Sequence, residues 1–93
     1  RRISNRKRWI LNCRTEAQIE VDSGATVALK KHRSLLLVGI TGLNGQFRAG
    51  DVVKICDRNG TEFARGISKF SFHAIESGMA KKVVVHRDNL VVL

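Results

Sequence analysis

Ninety-three residues are enough for one small domain, and a chain of this size buries only somewhat more than about 60% of its unfolded surface. Hydrophobic residues make up 43% of the sequence, yet no apolar run nears the roughly 18 residues that cross a bilayer, which excludes a membrane-spanning helix. The charge is lopsided: 17 Lys and Arg against 8 Asp and Glu give +9 and an isoelectric point near 10.6, which points to nucleic acid or, less often, to an anionic membrane or acidic protein.

The first residues, R-R-I-S-N-R-K, are polar and basic and read as an incoming linker over 1–7, with the domain itself over 8–93. Six of the 17 cations (Arg1, Arg2, Arg6, Lys7, Arg8, Arg14) fall in the first fourteen residues, so part of the net charge belongs either to a tether or to a binding face. The chain opens on Arg1 without an initiator Met, as expected of a fragment of a longer protein. Trp9 is the only tryptophan; a hydrophobic plug is the expected role, ahead of a base-stacking platform.

Gln18–Asp22 alternates polar and apolar residues and reads as a half-buried strand. Ala25, Ala28, Leu29 and His32 then recur at helical spacing, with Asp22 or Ser23 as N-cap candidates. Lys30, Lys31, His32 and Arg33 close that helix. Cations suit the negative end of a helix dipole, but that effect is worth at most about 1 kcal/mol per charge, and four adjacent basic side chains exceed the need. Phosphate binding is the favoured reading.

From Ser34 to Phe70 short apolar runs alternate with turn residues: Leu35–Ile40, then Gly42 and Asn44-Gly45, then Val52–Cys56, then Asn59-Gly60, then Phe63–Ile67. Runs of this length, rich in Val, Ile and Leu and punctuated by Gly and Asn, form strands. Gly66 inside the last of them marks a bulge or a close backbone approach. Ser71–Gly78 reads as a second helix capped by Ser71, with Phe72, Ile75 and Met79 as its buried side. Two final strands, Lys82–His86 and Leu90–Leu93, are joined by Arg87-Asp88-Asn89. The expected class is mainly β with two short helices (α+β), in the order β-α-β-β-β-α-β-β.

No constellation for catalysis emerges. His86-Arg87-Asp88-Asn89 superficially matches the catalytic loop of protein kinases, but that loop needs a glycine-rich phosphate cover, a strand lysine and an Asn four residues beyond the Asp. The glycines form no phosphate-binding loop, the three histidines have no nucleophile at an elbow, and Cys13 and Cys56 show no metal-ligand spacing. Without a visible secretory leader, reduced thiols and a cytoplasmic location are expected, and Cys56 reads as a small hydrophobe within a strand.

The ordered set Val21-Asp22-Ser23-Gly24-Ala25, Ala28-Leu29, Ser34-Leu35-Leu36 with Gly39-Ile40, Gly50-Asp51-Val52-Val53 and Ala64-Arg65-Gly66 resembles the PUA domain, an RNA-binding pseudobarrel. Arg6–Ile10, Gly45–Asp51 and Val85–Val91 narrow the likeness to the C-terminal PUA domain of bacterial glutamate 5-kinases. Val38, Lys69–Phe72 and a shortened segment before His86 depart from the family pattern. The resemblance implies a parent enzyme that moves the ATP γ-phosphoryl group to the glutamate side-chain carboxylate with Mg²⁺, in proline synthesis. Its catalytic residues would lie in an amino-acid-kinase domain, so no cofactor is expected in this fragment. It also implies an RNA-facing surface made of Gly24, Lys30, Lys31, His32, Arg33, Gly39, Lys69, Lys81, Lys82 and Arg87. The expected partners are structured RNA, the kinase domain of the same chain and a homo-oligomer formed through the parent, with no membrane. The rival expectation is a regulatory or assembly module that docks on the kinase domain without RNA.

Overall fold

The computed structural model describes residues 5–93. Five strands form the main sheet in the order β3-β1-β4-β5-β7: β1 Gln18–Val21, β3 Ile40–Asn44, β4 Val52–Cys56, β5 Glu62–Ile67 and β7 Leu90–Val92. All neighbours are antiparallel except β1 and β4, which run parallel. A separate ribbon pairs β2 (Leu35–Leu36) with β6 (Val83–Val85). Three short helices complete the chain: α1 Asn5–Asn12, α2 Ser23–Lys30 and α3 Phe72–Glu76. Ile19, Val21, Leu29, Leu35, Val53, Ile55, Val84 and Val85 are wholly buried in one cluster that draws on both sheets and α2. No helix among the described residues is long and apolar enough to cross a membrane.

The mixed, strand-dominated class expected from the sequence is the observed one, with two differences in detail. Helix α1 starts at Asn5, so residues 5–7 of the expected linker are helical; residues 1–4 lie outside the described part. The run Leu35–Ile40 is two strands separated by a 3₁₀ turn at Leu37–Gly39. The reason is Gly39, whose carbonyl accepts from the Asp22 N–H at 2.9 Å and whose bare Cα lets the chain press on α2. A Cβ there would lie 2.7 Å from the Ala25 Cβ. The turn redirects the chain from the β2–β6 ribbon into the main sheet.

Two expected core residues are displaced. Trp9 is 48% exposed, and Ile10 takes the buried position instead. Successive residues on a helix point about 100° apart, so a helix lying on β5 and β7 can turn only one of the pair inward. Met79 is 65% exposed while Ala80 is buried. Gly78, at φ +82°, reverses the chain after α3, and the N–H groups of Met79 and Ala80 both reach the Ala74 carbonyl; the reversal sends Met79 outward. Cys56 is buried in β4 as expected, and burial pushes its thiol pKa up, with Glu62 adding to the rise.

Candidate nucleic-acid interface

Helix α2 opens where Asp22 stops β1. Its carboxylate accepts from the Ala25 N–H at 2.7 Å, which satisfies a free donor of the first turn. Helix α2 ends at Lys30, and the Arg33 N–H returns to the Ala28 carbonyl at 3.1 Å. That closure needs a left-handed residue; here His32 supplies it, with φ 62°. The chain thereby turns Arg33 and Ser34 toward the Arg87–Asn89 turn, where the Ser34 hydroxyl accepts from the Arg87 backbone N–H at 2.9 Å.

Arg87–Asn89 form a 3₁₀ turn rather than a catalytic loop. The His86 Nδ1 accepts from the Asp88 N–H at 3.1 Å. His86 is therefore the side chain that caps this turn. Asn89 accepts from Arg6 of α1 at 2.9 Å instead.

Between α2, the 33–39 segment and this turn lies a cleft of about 690 Å³ lined by Asp22, Gly24, Ala25, Ala28, Arg33, Ser34, Leu36, Val38, Gly39, His86 and Arg87. Its apolar lining includes Leu36 and Val38, the latter 87% exposed; its polar lining includes two guanidinium groups and an imidazole. Arg33 and Arg87 have no carboxylate partner among the described residues. The one acidic side chain of the cleft, Asp22, is held by the α2 cap.

Of the ten residues expected on the RNA-facing surface, the cleft unites Gly24, Arg33, Gly39 and Arg87. Gly39 is buried, so its part there is to let the backbone approach α2. Lys31 and His32 are exposed at the end of α2, next to Arg33 in the chain. Lys30 turns away from the cleft and sets its ammonium 5.7 Å from the centre of the Phe63 ring. Lys82 flanks the ribbon, its carbonyl accepting from the Leu37 N–H at 2.8 Å, and Lys69 lies beside it through a 2.7 Å bond to Val84. Lys81, Lys82 and Lys69 are exposed and line no part of the cleft. Asp22, Ala25, Ala28, Ser34, Leu36, Val38 and His86 also line the cleft and were not among the expected ten. Ser34 and His86 each adjoin an arginine that was included, which is the signal that could have found them.

Residues 17–89 match the family model of the PUA domain. This chain belongs to the PUA domain family. Among curated proteins it is 43% identical over 107 aligned positions to a glutamate 5-kinase of Caldanaerobacter subterraneus subsp. tengcongensis, covering 98% of this chain and 29% of that protein. A glutamate 5-kinase of Prochlorococcus marinus is 40% identical, over 96% of this chain and 27% of its own length. The PUA domain thus spans less than a third of these relatives. Among solved structures, a PUA domain of Aeropyrum pernix K1, crystallised as a tartrate complex, superposes with a TM-score of 0.68 at 29% identity, over 76% of this chain and 41% of that one. A chain of an archaeal box H/ACA sRNP complex shares the fold with a TM-score of 0.67 at 22% identity, over 83% of this chain and 23% of its own.

Proposed function

We propose that this PUA domain is the non-catalytic part of a cytoplasmic glutamate 5-kinase and that its cleft face binds structured RNA through phosphates and 2′-hydroxyls. The convergence of Arg33 and Arg87 on one cleft, free of carboxylate partners among the described residues, carries the reading. Guanidinium groups hold phosphate oxygens by paired N–H bonds, and the Ser34 hydroxyl, which accepts from Arg87, keeps its own proton to donate. Lys31 and His32 extend the charge along the end of α2, and Lys69, Lys81 and Lys82 extend it along the ribbon. The surface reads shape and charge more than base sequence. ATP, Mg²⁺ and glutamate belong to the rest of the parent chain, as does its oligomer contact, and no step of phosphoryl transfer falls to residues of this domain.

The test uses the full-length parent and a labelled RNA stem-loop. Arg33→Glu combined with Arg87→Glu is expected to weaken binding about tenfold or more, since two phosphate contacts become repulsions. Arg58→Glu, in the exposed 58–60 turn outside the cleft, is expected to change it about twofold or less. Equal losses from both variants, or no binding by the native protein, would remove the cleft as an RNA site.

A further inference from the structure

A second groove, of about 350 Å³, shares no residue with the cleft and runs between the end of α1 and the 45–52 segment. Its apolar lining is Trp9, Ala17, Phe47 and Val52, and its polar lining includes Glu16 and Asp51. Single exposed apolar side chains are ordinary on a surface. Trp9 differs because its half-exposed ring forms a wall of a groove whose other apolar residues are buried. The groove is also held open. Arg6 at the start of α1 donates to Asn89, and Arg65 of β5 donates to the carbonyls of Leu11 and Cys13 at 3.2 and 3.0 Å at its end. Helix α1 cannot swing without breaking these bonds, so a partner would find the site already formed, at little ordering cost.

We infer that the Trp9 groove seats an apolar segment of the kinase region of the parent chain and fixes the orientation of the PUA domain on it. The inference rests on the glutamate 5-kinase reading only for the existence of that region. Two observations favour this occupant. The glutamate 5-kinases that match 98% and 96% of this chain continue for more than two thirds of their length beyond the match. Asn5, the first residue of α1, lies about 6 Å from Trp9 along the helix axis. The two carboxylates argue against nucleic acid, since Glu16 and Asp51 would face phosphates with only Arg14 to offset them. A tryptophan beside a preformed pocket is the kind of residue that anchors protein contacts.

The test places a photo-crosslinking benzoylphenylalanine at position 46 of the full-length parent, replacing Gln46, which is exposed and lines the groove, and in a control at Asn59. Mass spectrometry is expected to join position 46 to a peptide that precedes this domain, and position 59 to none. Adding Trp9→Ala should cut the yield about fivefold or more, as when an aromatic anchor is truncated. No crosslink at position 46, or one only to RNA or to another copy of this domain, overturns the inference. Glutamate-dependent ATP consumption by the same preparation tests the parent reading separately: a crosslink without activity keeps the docking site and removes the kinase assignment, whereas activity without a crosslink does the reverse.

Discussion

His32 is the only non-glycine residue with positive φ among the described residues. An L-residue pays roughly 1–2 kcal/mol for that conformation, which glycine would avoid at the end of α2. An imidazole there is consistent with a use beyond helix termination. Changing His32→Gly should raise the stability of the domain by up to about 1 kcal/mol while weakening RNA binding; thermal melts and a binding titration on one variant separate the two effects. Gly66 has the opposite character. A Cβ there would meet the Val85 side chain at 2.5 Å and the Asn89 carbonyl at 3.0 Å, so Gly66→Ala should destabilise by about 1–3 kcal/mol, read as a lowered denaturation midpoint. The close approach was legible as a glycine inside an apolar strand. His32 was not, because nothing in K-K-H-R states that its third residue must take the left-handed turn.

Strands β1, β4 and β5 were legible almost to the residue, since each buries a continuous or alternating apolar pattern. Helix α1 was not: N-R-K-R-W-I-L-N turns a single residue, Ile10, into the core, and so carries no apolar stripe for a helix pattern to show. Tertiary bonds hold it. The Arg65 guanidinium, itself paired with Glu62, satisfies carbonyls at the end of α1 that have no helical partner. Arg65→Ala should therefore cost about 1–3 kcal/mol and, more specifically, speed amide exchange in residues 5–12 beyond the rise across β4. Uniform acceleration over the whole domain would mean that Arg65 supports the sheet and not the helix.

At the scale of the whole molecule, the excess of cations was plain from composition, and its place was partly plain. Arg33 and Arg87 come from distant parts of the sequence and meet because the β2–β6 ribbon sets Leu35 beside Val85. The PUA resemblance anticipated that meeting; the sequence pattern alone did not. Lys30, expected on the same face from the PUA resemblance, does not line the cleft and sets its ammonium over the Phe63 ring. Arg33 and Arg87 line one cleft, so on the proposed reading RNA binding should follow counterion release. The measurement that bears most directly on this is the affinity of the full-length protein for a stem-loop RNA between about 50 and 200 mM salt. A decade or more of loss across that range, with a shallower slope in Arg33→Glu/Arg87→Glu, is the predicted result. A flat salt response, or a slope that the double variant leaves unchanged, would contradict it.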